Sequence, residues 1–152
     1  MPRSIRRAFK MIYNSEQEIF TVVRGFEDGT IARADWRHRE HLTVAFYYAF
    51  YLDFETALTK MRGGIFNLLN AFEVDLTKEM PYHETLTVFW MRTIFDLIES
   101  SNGNSFLETA NEVLEICADK DLPLKFYSRE LLFSPEARLK FVAADMEPLN
   151  EI

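Results

Sequence analysis

The chain has 152 residues, 48% of them apolar, which suits one domain with a sizeable core and argues against two. Glycine and proline number only five each, so the composition excludes a disordered chain or a turn-rich all-β chain and favours helices. A net charge of −7 argues against a nucleic-acid partner or an anionic membrane surface, since both require a broad basic patch.

Three further features indicate a soluble, cytoplasmic protein. No apolar stretch reaches the length of about twenty residues that a membrane span requires. The single cysteine, Cys117, falls in the apolar stripe of a predicted helix, which indicates a buried residue in a reducing compartment rather than a nucleophile. Residues 1–14 are interpreted as a solvated basic arm, because no basic face continues from its four cations, Arg3, Arg6, Arg7 and Lys10.

Two helices begin the predicted fold. The first spans residues 15–26, with Ser15 as its N-cap. The second begins near Asp35, which is a favoured N-cap residue, and continues to Leu52. Beyond His41 this helix is apolar nearly all round, so we expect it to lie at the centre of the bundle.

The third and fourth helices follow from the same kinds of signal. Asp53 caps the third helix, whose apolar residues recur at spacings of three and four as far as Phe72. Gly63 and Gly64 interrupt this helix, and we interpret them as a point where a neighbouring helix packs closely. Pro81 suits the first turn of the fourth helix.

The C-terminal part of the chain adds a fifth helix and two short ones. Ser105 caps the fifth helix, and within the tail 124–152 both Ser128 and Ser134 precede a short helix. The sequence therefore predicts an all-α fold in a single domain over residues 1–152. Its architecture should be an up-and-down bundle of four to five main helices plus short C-terminal helices.

All three histidines of the chain fall in two short polar motifs, Trp36–Leu42 and Tyr82–Thr87. His38 and His41 are three residues apart, so they share one face of the second helix. Short links make successive helices antiparallel, so the second and fourth helices begin at the same end of the bundle. We therefore expect His83, in the first turn of the fourth helix, to lie level with the other two.

Three imidazoles at one level predict a divalent metal site, because histidine is the commonest metal ligand and a helix N-terminus favours its neutral form. The pattern suits Zn, Fe, Mn or Cu and does not distinguish them. Glu40 and Glu84 are candidate catalytic residues, which would act as a general base or orient a histidine in a metal-dependent hydrolase or oxidoreductase. Capping of a helix start explains both glutamates equally well.

Four other residues are candidates for binding a small-molecule substrate at this end of the bundle. Thr87 lies four residues after His83 and shares its helix face. Asn70 lies at the end of the third helix, and Tyr48 follows the histidine pair on the second. Arg129 would bind an anionic group, although ion pairing at the surface is the simpler interpretation.

Three motifs in combination carry a resemblance to a known family. They are aromatic-x-His-x-x-His-Leu at Trp36–Leu42, Tyr-His-Glu-Thr-x-Thr at Tyr82–Thr87 and Tyr-Ser-x-Glu-x-Leu-x-Ser-x-Glu-Ala-Arg at Tyr127–Arg138. In these motifs the chain resembles a family of small, uncharacterised bacterial helical proteins, which implies kinship over most of its length and no particular activity. It is also similar to DinB-like helical bundles, which place three histidines around a divalent metal at one end. That similarity is architectural only, since the histidine pair here comes early and at a spacing of three.

Two other functions are left open by the sequence. High aromatic content is also typical of a non-enzymatic helical module that binds a ligand, a partner, or a second copy of itself as a homodimer. In such a module the histidines would be structural. Acid–base chemistry by His83 and a glutamate is the other alternative, and it requires a pocket but no metal ion.

Overall fold

A computed structural model describes residues 11–101 and 103–146, and over these ranges the protein is helical with no strand. Five main helices confirm the predicted all-α class, and none of the described helices is long and apolar enough to cross a membrane. Two short helices follow them. In chain order they are α1 Glu16–Asp28, α2 His38–Tyr51, α3 Phe54–Ala71, α4 Glu84–Glu99, α5 Phe106–Ile116, α6 Arg129–Leu132 and α7 Pro135–Leu139.

Most helix starts lie where the sequence predicts them, because the capping signals are local. At each of these starts the N-cap side chain accepts a hydrogen bond from the backbone N–H three residues later. The confirmed caps are Ser15, Asp53, Ser105, Ser128 and Ser134.

The starts of α2 and α4 differ from the prediction. Asp35 does not cap α2, because it ends a short 3₁₀ helix, Arg33–Asp35, and the chain is extended at Arg37 before α2 begins. Pro81 is not in the first turn of α4, because the backbone stays extended through His83 (φ −139°, ψ 104°). The helix starts at the next residue, so His83 is the N-cap of α4 rather than part of its first turn.

The second helix is the central element, as predicted from its apolar sequence. It packs against α1, α3, α4 and α5, and seven of its side chains are buried. The interpretation of the paired glycines is confirmed for Gly64, because a Cβ there would lie 2.3 Å from ring atoms of Phe26 on α1. Gly63 faces open space.

The N-terminal segment is attached to the bundle earlier than predicted. The predicted solvated arm includes residues 11–14, yet Tyr13 is buried and its hydroxyl lies 2.9 Å from the Thr43 hydroxyl oxygen. The Asn111 carboxamide oxygen accepts hydrogen bonds from the backbone N–H groups of Ile12 and Tyr13 (2.8 and 2.9 Å). The arm's four basic residues lie outside the described part of the chain.

The C-terminal segment after α7 is held against α4. The Thr85 hydroxyl donates to the Lys140 carbonyl oxygen (3.0 Å) and accepts from the Val142 N–H (3.1 Å). The Tyr127 hydroxyl donates to the Val142 carbonyl oxygen (2.6 Å). These bonds fix α6 and α7 beside the start of α4, where the histidine motifs lie.

Candidate functional site

All three histidines line one cavity of about 310 Å³, which we call the histidine cavity. His38 and His41 come from α2 and His83 from the N-cap of α4, so the predicted convergence of the two helix starts is present. Most of the lining is apolar. The remaining lining residues are Trp36, Arg37, Leu42, Ala45, Met61, Ile65, Pro81, Tyr82, Leu86, Thr87 and Trp90.

His83 has both ring nitrogens bound to the protein. Its Nε2 lies 2.7 Å from the Leu132 carbonyl oxygen, and its Nδ1 accepts from the Leu86 N–H at 3.2 Å. Because a carbonyl oxygen can only accept, Nε2 carries the proton and Nδ1 keeps the lone pair that caps α4. The structure therefore places His83 as a helix cap, with no ring nitrogen left for a metal ion.

His38 and His41 each have one nitrogen bound to a backbone carbonyl. The Nε2 of His38 donates to the Cys117 carbonyl oxygen (2.9 Å), and the Nδ1 of His41 donates to that of Arg37 (3.0 Å). The proton must again lie on the nitrogen that faces the carbonyl. In the neutral rings His38 Nδ1 and His41 Nε2 thus keep their lone pairs, and neither nitrogen has a hydrogen-bond partner among the described residues.

Aromatic side chains fix the orientation of both imidazoles. The Trp36 ring lies against His41 with centroids 4.1 Å apart, and the Trp90 ring meets His38 edge to face at 5.0 Å. Phe26 stacks on Trp36 at 5.1 Å. The two open nitrogens therefore sit on rings held by a carbonyl on one side and an indole on the other.

Desolvation favours the neutral form of the imidazole at His41 and at His83. Desolvation lowers the pKa of His41 below its ordinary value, and it also lowers the pKa of His83, to which the positive charge of Arg138 contributes. A neutral imidazole is the form that accepts a hydrogen bond or ligates a metal ion. Cys117 is buried as predicted, and burial raises the pKa of its thiol to about 12, so it is not an activated nucleophile.

The two candidate catalytic glutamates do not line the histidine cavity. Glu40 accepts a hydrogen bond from the Arg37 N–H (3.1 Å), which is the capping role. Glu84 forms a bidentate pair with Arg62 (3.0 and 2.6 Å) and accepts from the Tyr82 hydroxyl. The Arg62 guanidinium lowers the pKa of the Glu84 carboxyl. Nothing in their placement supports a catalytic role for either glutamate, or acid–base chemistry with His83.

Of the four candidate substrate-binding residues, the structure places only Thr87 at the histidine cavity. The buried Tyr48 hydroxyl donates to Glu27 on α1 (2.6 Å). Asn70 and Arg129 are exposed, at the end of α3 and the start of α6. Asn70 does not line the cavity, because the residues of α3 that border it, Met61 and Ile65, come from the middle of that helix.

Both tryptophans are walls of the site that the sequence reasoning missed. Trp90 lies on α4, outside the motifs that contain the histidines. Its position seven residues after His83 was a usable signal, since residues two turns apart share a helix face. Trp36 opens the first histidine motif, two residues before His38, and this position was its signal, although it lies in the extended segment before α2.

No match was found when the chain was compared with protein-family models, with curated proteins and with solved structures. Within the described part of the chain, no group of three or more His, Cys, Asp or Glu side chains is arranged to hold a metal ion. The chemistry of the histidine cavity is therefore the basis on which a function is proposed.

Proposed function

We propose that the protein binds a small, mainly apolar molecule that carries one or two hydroxyl or N–H groups in the histidine cavity. The observation that supports this is the pair of open imidazole nitrogens in a mainly apolar cavity. Its volume of about 310 Å³ is at the lower end of ligand pockets and roughly twice that of a cavity that holds benzene. A molecule of one or two rings fits this size.

The open nitrogens set the polar requirement on the ligand. His38 Nδ1 and His41 Nε2 are both acceptors in the neutral tautomers that the backbone carbonyls impose, so the ligand must supply the hydrogen. A ligand without a donor leaves a desolvated lone pair unpaired, which costs about 1 to 3 kcal/mol. The cavity should therefore discriminate strongly between a hydroxylated molecule and its hydrocarbon analogue.

The walls set the apolar requirement. Trp36 and Trp90 present aromatic surface, and Met61 and Ile65 on α3 add aliphatic surface. Burying an aromatic ring against such walls removes apolar area from water, and offset or edge-to-face pairing adds about 0.5 to 1.5 kcal/mol. An aromatic alcohol or amine meets both requirements better than a sugar or a charged metabolite.

Binding of 4-ethylphenol, with ethylbenzene as its analogue without a donor, tests the proposal. The chain has two tryptophans and both line the cavity, so intrinsic fluorescence reports occupancy directly. We expect 4-ethylphenol to bind at least about tenfold more tightly than ethylbenzene, as one hydrogen bond to a buried acceptor predicts. Failure of both probes to bind, or equal affinity for the two, would refute the proposal.

Substitution of one histidine tests whether its ring nitrogen is responsible for the preference for 4-ethylphenol over ethylbenzene. His41→Phe keeps a ring against Trp36 but removes one of the two open acceptors, so the preference for 4-ethylphenol should be smaller than in wild type while ethylbenzene affinity stays unchanged. Tyr48→Phe is the matched control, because it removes a hydroxyl that lies outside the cavity. A preference in His41→Phe as large as that in wild type would contradict the proposed role of His41.

A divalent metal ion at His38 and His41 is the second candidate. Each imidazole donates its other N–H to a backbone carbonyl, as metal-binding histidines usually do. His83 does not fit as a third ligand, so water or a bound molecule would have to complete the coordination. When bound, such an ion would polarise an oxygen of its water or substrate.

Zinc analysis of untagged, reconstituted protein tests this candidate. We expect His83→Asn to retain the zinc content of the wild-type protein and His38→Gln/His41→Gln to lose it. A three-histidine site predicts instead that the His83→Asn protein loses zinc as well. Wild-type protein without stoichiometric zinc after reconstitution would reject the metal candidate altogether.

A further inference from the structure

Tyr82 also lines a second cavity, of about 340 Å³, which we call the Arg138 cavity. It is formed where α3, the start of α4 and the end of α7 meet, and it includes Arg62, Glu84 and Leu139. Neither open imidazole of the histidine cavity belongs to it. The two cavities can therefore bind different molecules.

Positive charge in the Arg138 cavity is only partly neutralised. Both carboxylate oxygens of Glu84 are bound by Arg62, so that acidic charge is already paired. Arg138 has no carboxylate partner among the described residues, and only its Nη1 donates, to the carbonyl oxygens of Met80 and Tyr82 (3.2 and 3.4 Å). Its Nε and Nη2 N–H groups have no protein acceptor in that part of the chain.

Apolar side chains line the same cavity. Leu139 is 77% exposed and Phe141 37% exposed, and Phe66 is also part of the lining. Lys140 is paired with Glu136 at 3.4 Å, and the Arg92 guanidinium, outside the lining, lies 4.8 Å from the centroid of the Phe141 ring. Among the described residues, Arg138 is therefore the cation of the cavity lining that has no carboxylate partner.

We propose that the Arg138 cavity binds a small organic anion in which a carboxylate is joined to an apolar chain or ring. The carboxylate accepts hydrogen bonds from the open N–H groups of Arg138, whose guanidinium is already oriented by two backbone carbonyls. The apolar part covers Leu139 and Phe141, which would otherwise face water. This site is independent of the function proposed for the histidine cavity.

Calorimetric titration of the full chain with octanoate tests the site. We expect a dissociation constant of about 1 mM or tighter. Propionate has the same charge as octanoate but lacks the long chain. Octyltrimethylammonium has the long chain but the opposite charge and no hydrogen-bond acceptor for Arg138. Each control should therefore bind at least about tenfold more weakly than octanoate. Octanoate binding no tighter than that of either control would overturn the proposal.

Two substitutions at an exposed position localise the anion without disturbing the fold. Leu139→Asp places a carboxylate in the cavity, whereas Leu139→Asn changes the side chain equally in size and adds no charge. We expect octanoate affinity to be at least about tenfold lower for the aspartate variant than for the asparagine variant, because like charges repel. Equal affinities of the two variants would show that charge is not recognised there and would reject the proposal.

Substitution of the arginine itself tests whether Arg138 holds the carboxylate. Arg138→Gln should abolish octanoate binding, and if that variant does not fold, the Leu139 pair decides. Arg24→Gln removes an exposed cation of α1 that lines neither cavity and should leave binding unchanged. His41→Phe should also leave octanoate affinity unchanged, and a loss of octanoate binding in it would assign the anion to the histidine cavity and overturn the proposal.

Discussion

The Gly64→Ala protein is expected to unfold at lower urea concentration than wild type, with a loss of about 1 to 3 kcal/mol in the free energy of unfolding. A Cβ at this position would lie 2.3 Å from Cε2 and Cζ of Phe26, far inside van der Waals contact. The higher helix propensity of alanine offsets only about 1 kcal/mol of this overpacking. Gly64 thus sets how closely α3 approaches α1.

The Phe26 ring has little freedom to move away. It is only 1% exposed, and it is packed between Trp36 (5.1 Å) and Tyr48 (6.4 Å), whose hydroxyl is bound to Glu27. A displaced Phe26 pushes on Trp36, which is a wall of the histidine cavity. We therefore expect Gly64→Ala also to shift the tryptophan emission and to weaken 4-ethylphenol binding.

Gly63→Ala is the matched control for this prediction. A Cβ there meets nothing within 4 Å, so the variant gains helix propensity alone and should be more stable by up to about 1 kcal/mol. Urea unfolding followed by circular dichroism measures both variants under identical conditions. Equal stabilities of the two alanine variants would contradict the packing argument.

The elements that could be predicted from the sequence are those with short-range causes. Ser15, Asp53 and Ser105 cap helices through their own side chains and the next turn, so three residues of context suffice. At α4 the local signal, Pro81, was misleading. The cap there is His83, whose ring is fixed by the carbonyl of Leu132, forty-nine residues further along the chain, a contact that no local pattern contains.

The distinction between local signals and contacts distant in sequence also applies to the histidine cavity. Convergence of the histidines followed from helix alternation, which depends only on helix number and link length. Their roles depended on partners distant in sequence, since His38 is oriented by Cys117 and His83 by Leu132. The pairing of Glu84 with Arg62 on α3 likewise depends on tertiary contact. Sequence therefore predicted where the imidazoles meet and not which nitrogens remain open.

His83→Ala is expected to lower the free energy of unfolding by about 2 to 4 kcal/mol. Loss of an N-cap costs about 1 kcal/mol, and leaving the buried Leu132 carbonyl without its donor costs about 1 to 3 kcal/mol more. His83→Asn should recover about 1 kcal/mol of this, because asparagine is a favoured N-cap but is too short to reach Leu132. Urea unfolding of the three proteins at about pH 7 provides the comparison.

The pH dependence of the unfolding free energy tests whether His83 stabilises the fold as a neutral helix cap or only by filling space in the core. Burial lowers the folded-state pKa of His83 below the value of about 6.5 in the unfolded chain, so the unfolded state binds protons first as the pH falls. The stability that neutral His83 contributes is fully present above about pH 6.5 and is lost as the pH falls through its folded-state pKa. The difference in unfolding free energy between wild type and His83→Asn should therefore shrink as the pH falls from about 7 to about 5. His41 titrates in both proteins, so its contribution cancels in this difference. A difference that stays constant over this range would mean that His83 stabilises the fold without depending on its neutral Nδ1 as the cap of α4.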